Sequence, residues 1–207
     1  MAELTFYTNP QSRGQIIRWM LEEVGAPYET VVLDYATTLK GAEYLAINPM
    51  GKVPAIVHDG KVVTECAAIC AYLADAFPEA GLAPPVNDRA EYYRWLFFAA
   101  GPVEAAFTNK ALKVEVSPEQ QRMVGYGTFE TAIHAVEKML EGRAYVTGSF
   151  SAADLYLGSE LGFMMRFGML QAGPATTAYV ERLTSRDAYK RAAEIDAAAA
   201  KELAPAE

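Results

Sequence analysis

A serine and an arginine follow the first apolar stretch of the chain, at Ser12 and Arg13. The apolar run at 3–7 stops at an Asn-Pro turn, and apolar residues then recur at helical spacing up to Val24. This pattern predicts a strand, a turn and a helix. Such a turn brings a hydroxyl and unpaired N–H groups to a helix N-terminus, where an anion or a thiolate is stabilised. The alternative is that Ser12 only caps the helix.

Two further motifs place charged residues at a turn and at the start of a helix. Residues 48–54 read Asn-Pro-Met-Gly-Lys-Val-Pro, in which proline and glycine favour a tight turn and Lys52 offers a positive charge. Glu65 and Cys66 follow at the start of a second amphipathic segment. An acid in the first turn of a helix is favoured by the dipole, and the first backbone N–H groups are free to bind a carboxylate.

The elements that must position these residues form a βαβαββα order over the first eighty residues. We predict strands at 3–7, 28–33, 55–58 and 62–64, with Asp59-Gly60 as a two-residue hairpin turn between the last two. Helices are predicted at 12–24, with Gly25 and Pro27 ending it, at 38–47 as a short irregular helix, and at 65–77.

A stretch rich in proline and glycine at 78–87 separates this region from the rest, and we predict a linker there. Everything after the linker has helical periodicity, at 88–112, 118–140, 152–168, 176–184 and 186–200. Ser151 and Asp154 have the spacing of a capping box. We therefore predict an α/β domain at 1–77 and an all-α domain at 88–207.

Composition excludes several classes of function. The 207 residues are 52% hydrophobic, and the formal charge of −8 comes without a cluster of Lys or Arg, which argues against nucleic acid and anionic membranes as partners. No secretory signal or membrane-spanning stretch is seen, so we expect a cytoplasmic protein. Cys66 and Cys70 lie four apart, which suits neither a disulfide framework nor a metal site, and we interpret both as reduced thiols.

Taken together, these motifs resemble those of the soluble glutathione transferases, of a bacterial, serine type with features of the beta and theta classes. The resemblance covers essentially the whole chain. It implies a thioredoxin-like N-terminal domain with a mixed four-stranded sheet, followed by an all-helical C-terminal domain. It also implies detoxification chemistry with glutathione as cosubstrate, and no other cofactor and no metal.

The resemblance implies a role for each motif residue. The bond before Pro54 is cis in the family, and the residue equivalent to Val53 pairs its backbone with the cysteinyl part of glutathione. Lys52 would meet the glycyl carboxylate. Glu65 would accept a hydrogen bond from the γ-glutamyl ammonium, and the backbone N–H of Cys66 would receive its carboxylate. The family usually has serine after this glutamate. Because a thiol is a weak donor, the Cys66 side chain would give the ligand carboxylate a weaker hydrogen bond than a serine hydroxyl.

Ser12 is the candidate catalytic residue, with Arg13 contributing positive field. Tyr7 is the rival hydroxyl, since other classes use a tyrosine, although it lies farther from the Arg13-Gly14 pair than the family tyrosine does. A free thiol has a pKa of about 8.5, and lowering it by two units requires about 2.7 kcal/mol. One hydrogen bond to a charged acceptor supplies roughly 1.5–3 kcal/mol and a helix N-terminus adds up to about 2, so no base is needed.

Three functions remain open. The first is addition of glutathione to small hydrophobic electrophiles, in a pocket expected between the domains against the helix that carries Phe107. The second is glutathione-dependent isomerisation, dehalogenation, or disulfide or peroxide reduction. The third is a non-catalytic module. The family resemblance further implies a homodimer, with Tyr92, Tyr93 and Trp95 as candidate contacts or, alternatively, as residues packed inside one subunit.

Overall fold

A computed structural model describes residues 3–203 of the protein. The α/β part contains the strands β1 (Leu4–Thr8), β2 (Glu29–Val32), β3 (Ala55–His58) and β4 (Lys61–Thr64), and the helices α1 (Gly14–Val24), α2 (Ala42–Ile47) and α3 (Cys66–Ala76). The sheet order is β2-β1-β3-β4, with β2 parallel and β3 antiparallel to β1, and β4 antiparallel to β3. The predicted mixed four-stranded sheet is confirmed.

The buried core of the α/β part follows from the regular spacing of apolar residues along its strands and helices. Phe6 on β1 and Ile56 on β3 are fully buried and are register partners in the sheet. The apolar face of α1 is buried, including Ile17 and Met20, and the helix ends at Gly25 in the left-handed conformation (φ 71°). A 3₁₀ turn at Thr38–Lys40 precedes α2, which explains why the segment 38–47 looked irregular in sequence.

The remaining elements are helical. They are α4 (Ala90–Phe98), a π-helical segment (Ala99–Val103), α5 (Glu104–Ala111), α6 (Phe129–Leu140), α7 (Ala152–Arg166), α8 (Pro174–Thr184) and α9 (Asp187–Leu203), with short 3₁₀ turns at Pro78–Ala80, Val86–Asp88 and Gln120–Arg122. The prediction of one helix over 118–140 is wrong in its first half. Gly127 has a φ of 65°, and Thr128 caps α6 by accepting a hydrogen bond from Thr131 N.

Contacts divide the described residues into two compact units, one of 3–81 with 186–203 and one of 82–185. The boundary at 81/82 lies inside the predicted linker. The sequence predicted 88–207 as one helical domain, whereas α9 groups with the α/β unit. Arg18 on α1 is buried and bonds Asp196 on α9 at 3.2 Å, and Arg186 contacts Glu23 through two hydrogen bonds of 2.6 and 2.8 Å. These ion pairs tie the last helix to the first.

Inside the second unit, the helical candidates for contacts between subunits differ in exposure. Tyr92 and Trp95 are 1% and 5% exposed, so they are buried inside this chain, whereas Tyr93 is 40% exposed. Phe97, one turn further along α4, is 63% exposed and its ring lies 6.2 Å from that of Tyr93. Over 3–203, no helix has the length and apolar character needed to cross a membrane.

Candidate active site

Ser12 lies in the turn between β1 and α1, two residues before the helix begins. Its hydroxyl donates to the Asn9 carbonyl oxygen at 2.6 Å and accepts from the Gly14 N–H at 2.9 Å. The Asn9 side chain fixes the turn, because it donates to Leu33 O at 2.9 Å and accepts from Gln11 N at 2.9 Å. The hydroxyl is therefore held at the N-terminus of α1, as the sequence predicts, although it is not the N-cap residue itself.

Gly14 permits the close approach of β1 and α1 at this turn. A Cβ atom at Gly14 would overlap with Thr8 Oγ1 and would lie 3.0 Å from Ser12 Oγ. Thr8 is almost fully buried at the end of β1. A side chain at position 14 would thus displace the turn that carries Ser12.

The segment 48–54 folds as a turn that ends in a cis peptide bond between Val53 and Pro54. Asn48 closes the turn, since its side chain accepts from Met50 N at 3.1 Å and donates to Lys52 O at 2.8 Å. The Lys52 carbonyl oxygen also accepts from the Tyr44 hydroxyl at 2.5 Å. Pro54 is buried, whereas Val53 is partly exposed.

These two segments line one cavity of about 320 Å³. Its lining residues are Ser12, Arg13, Tyr35, Leu39, Lys40, Gly51, Lys52 and Val53. Three of them are cationic, in a chain whose formal charge is −8. Among the cations, Lys40 donates to the carbonyl oxygens of Met50 and Gly51 at 3.3 and 2.7 Å. The cavity thus combines a hydroxyl, a helix N-terminus and positive charge, which suits an anionic ligand that carries a thiol.

Glu65 and Cys66 lie where α3 begins, close to the turn that carries Ser12 and Arg13. The Cys66 thiol lies 3.9 Å from the carbonyl oxygen of Arg13, which brings the start of α3 next to the start of α1. Glu65 is exposed and has a positive φ of 66°, a conformation that costs energy for a residue other than glycine. Cys70, one turn further, is buried, and burial raises the pKa of its thiol well above the usual value.

Comparison with curated proteins gives a clear relative. The chain is 33% identical over 143 residues to the glutathione S-transferase GstA of Escherichia coli O157:H7, across 66% of this chain and 70% of that protein. The chain belongs to the glutathione S-transferase family. The model of the glutathione S-transferase N-terminal domain matches residues 2–75. The glutathione S-transferase GST-4.5 of Xanthomonas campestris pv. campestris is 30% identical over 177 residues, across 81% of this chain and 84% of that one.

Solved structures agree with this assignment. A glutathione transferase of Methylococcus capsulatus str. Bath is 32% identical, with a TM-score of 0.78 over 94% of this chain and 99% of that chain. A sphingomonad glutathione S-transferase solved in complex with glutathione is also 32% identical, with a TM-score of 0.77 over 93% and 98% of the two chains. The predicted family and fold class are confirmed.

Five of the nine predicted site residues do not line this cavity, namely Tyr7, Pro54, Glu65, Cys66 and Phe107. Pro54 directly follows the lining residue Val53, and Glu65 and Cys66 lie next to the Ser12 turn, whereas Tyr7 and Phe107 have other surroundings. Tyr7 belongs to β1, and its ring packs 5.6 Å from that of Tyr44. Phe107 lies on α5 in the second unit, is 5% exposed and contacts the ring of Phe163 at 5.8 Å. Neither observation tests its predicted role, and both roles stay predictions.

Sequence reasoning missed three residues of the cavity, which are Tyr35, Leu39 and Lys40. Lys40 lies eleven positions before the glycine that it contacts, and no motif marks it. Its only sequence signal is its position at the end of the segment before α2. The described residues contain no group of three or more acidic, histidine or cysteine side chains that could hold a metal ion.

Proposed function

We propose that this glutathione transferase binds glutathione in the cavity beside Ser12 and activates its thiol there as a thiolate. The observation that carries the proposal is the Ser12 hydroxyl at the start of α1, bordering a cavity that is also lined by Arg13, Lys40 and Lys52. Glutathione has two carboxylates, one ammonium and a thiol, so its thiolate form is strongly anionic. Positive charge and helix N-terminal donors favour that form.

The Ser12 hydroxyl has one proton, which it now gives to Asn9 O. To donate to a thiolate, the O–H bond must turn away from that carbonyl. This loses one neutral hydrogen bond, worth about 0.5–1.5 kcal/mol, and gains one to a charged acceptor, worth about 1.5–3 kcal/mol. Asn9 O retains the N–H of Ser12 at 3.1 Å, so the carbonyl does not become unpaired. The exchange is favourable by about 1 kcal/mol.

The rest of glutathione would be held by groups on either side of the serine. Val53 would pair its backbone with the cysteinyl part, as an added strand pairs with a sheet edge. Lys52, and Lys40 with it, would face the glycyl carboxylate. Glu65 and the first backbone N–H groups of α3 would hold the γ-glutamyl end. The positive φ of Glu65 supports this role, because strained backbone is concentrated at binding sites.

The activated sulfur would then attack a small hydrophobic electrophile. A bond forms between sulfur and the electrophilic carbon, and the bonding electron pair leaves with a departing group or, in an addition, ends on a neighbouring atom that takes a proton from water. Such conjugation is the chemistry of detoxification. We further propose a cytoplasmic homodimer in which the exposed face of Tyr93 and Phe97 on α4 contributes to the interface.

Two measurements test this proposal. Glutathione should raise the melting temperature of the protein, because a ligand that binds only the folded state stabilises it. No shift at millimolar glutathione, together with a silent calorimetric titration, would exclude the enzyme and favour a non-catalytic module. In assays with glutathione and a panel of electrophiles (haloaromatics among them), peroxides and mixed disulfides, we expect turnover of the electrophiles. Turnover only with peroxides or mixed disulfides would replace conjugation by reduction.

A further inference from the structure

The carbonyl oxygen of Lys52 is held by two side chains from the same helical region. It accepts the Tyr44 hydroxyl at 2.5 Å and the Asn48 amide at 2.8 Å. A carbonyl oxygen has two lone pairs, so both are used. Two donors that approach from different directions fix the plane of the peptide between Lys52 and Val53. One donor alone would allow this plane to rotate.

The orientation of this peptide sets the direction of the Val53 N–H. The bond is trans, since the described residues have their cis bond at Val53-Pro54 and not before it. In a trans peptide the N–H points opposite to the C=O, so the Val53 N–H points away from Tyr44 and Asn48. Val53 lines the cavity, and within 3–203 no backbone hydrogen bond joins it to another residue. This donor is available to a ligand.

Tyr44 is a rigid donor. Its side chain is 3% exposed and packs in a cluster with Leu33, Leu39 and Ala55. Burial raises the pKa of its hydroxyl, which therefore keeps its proton across the neutral range. Replacing Tyr44 by phenylalanine would keep the ring in this cluster and remove the hydroxyl, together with its hydrogen bond to Lys52 O and its interaction with the Asn48 side chain.

We propose that Tyr44 is a positioning residue for glutathione, whose hydroxyl holds the Lys52–Val53 peptide so that the Val53 N–H donates to the cysteinyl carbonyl of the ligand. The inference rests on the proposed function, because it needs glutathione in the cavity. Tyr44 does not touch the ligand itself. Its effect falls on ligand affinity and spares the chemical step, which depends on the thiolate at Ser12.

The test compares Tyr44→Phe with the wild type by calorimetric titration of glutathione and of γ-glutamylcysteine, which keeps the cysteinyl carbonyl but lacks glycine. Tyr28→Phe is the matched control, because its hydroxyl bonds Arg18 and Glu22 and lies outside the cavity lining. We expect Tyr44→Phe to weaken both ligands about three- to ten-fold. The KM for glutathione should rise by the same factor with an unchanged kcat. Tyr28→Phe should lose stability and keep its affinity.

The outcomes separate the alternatives. Wild-type affinity in Tyr44→Phe, a loss for glutathione but not for γ-glutamylcysteine, or an equal loss in Tyr28→Phe would each overturn the inference. A wild type that binds neither ligand would instead refute the proposed function. Should Tyr44→Phe fail to fold, Asn48→Asp serves as the second variant. It keeps an acceptor for Met50 N and removes the other donor to Lys52, so the same loss of affinity is expected.

Discussion

The buried Asp154 side chain on α7 accepts hydrogen bonds from several parts of the helical unit, so its removal tests how that unit is stabilised. Its side chain is fully buried and accepts four hydrogen bonds, from Val146 N at 2.7 Å, Ser151 N at 3.0 Å, Ser151 Oγ at 2.8 Å and the Tyr179 hydroxyl at 2.9 Å. This is the capping box that the sequence predicts at 151–154, extended by two long-range donors. Asp154→Ala should therefore cost more than a cap alone.

The magnitude follows from the donors that the substitution leaves behind. The Ser151 hydroxyl can turn to a new acceptor, and the Tyr179 hydroxyl is still 3.4 Å from the Asp154 carbonyl oxygen. The N–H groups of Val146 and Ser151 lose their partner, at about 1–3 kcal/mol each. Relief of carboxyl burial offsets part of this. We expect a loss of about 3–4 kcal/mol for Asp154→Ala and about 1 kcal/mol for Ser151→Ala, which removes one donor of four.

Equilibrium unfolding in urea followed by tryptophan fluorescence measures this loss. The chain has two tryptophans, one in each unit, so a Trp19→Phe background leaves Trp95 to report on 82–185. Glu130→Ala is the control, because Glu130 is also a first-turn acid of a helix in 82–185 but is exposed. It should change stability by a few tenths of a kcal/mol. A loss below 1 kcal/mol in Asp154→Ala, or one no larger than in Ser151→Ala, would refute the reasoning.

Three further predictions follow from the same geometry. Gly14→Ala should weaken glutathione binding at least ten-fold with the fold retained by circular dichroism, since its Cβ would overlap with Thr8; wild-type affinity would contradict this. Cys66→Ser should keep activity or tighten glutathione modestly, because backbone N–H groups hold the carboxylate; loss of turnover would make Cys66 a redox residue. Burial raises the pKa of the Asp154 carboxyl, so the stability advantage of wild type over Asp154→Asn should shrink as the pH rises through that pKa. Urea titrations at several pH values measure this difference, and an advantage that increased with pH would contradict the prediction.

Much of the site could be predicted because its parts are local in sequence. The turn that carries Ser12, the segment 48–54 and the start of α3 at Glu65 each combine a proline, glycine or polar residue with a change of hydrophobic period. Such signals depend on residues within a few positions of one another. The structure brings the first two segments to one cavity and the third next to the Ser12 turn.

The remainder depends on contacts that leave no local pattern. The hydrogen bond from Tyr44 to Lys52 O and the reach of Lys40 to Gly51 O depend on how α2 packs against the turn. The docking of α9 on α1 depends on the buried pair of Arg18 and Asp196, which are 178 positions apart. Helical periodicity alone also does not reveal that the chain near Gly127 is not helical.

The central claim is that Ser12 stabilises the thiolate of bound glutathione, and the absorbance of that thiolate against pH tests it most directly. In Ser12→Ala the pKa of the bound thiol should rise by about one unit, equivalent to roughly 1.4 kcal/mol, with conjugation at neutral pH falling in proportion. Glutathione affinity should change much less. Tyr7→Phe should leave the pKa in place, because Tyr7 lies in β1 and outside the cavity lining. A raised pKa in Tyr7→Phe with an unchanged pKa in Ser12→Ala would contradict the account.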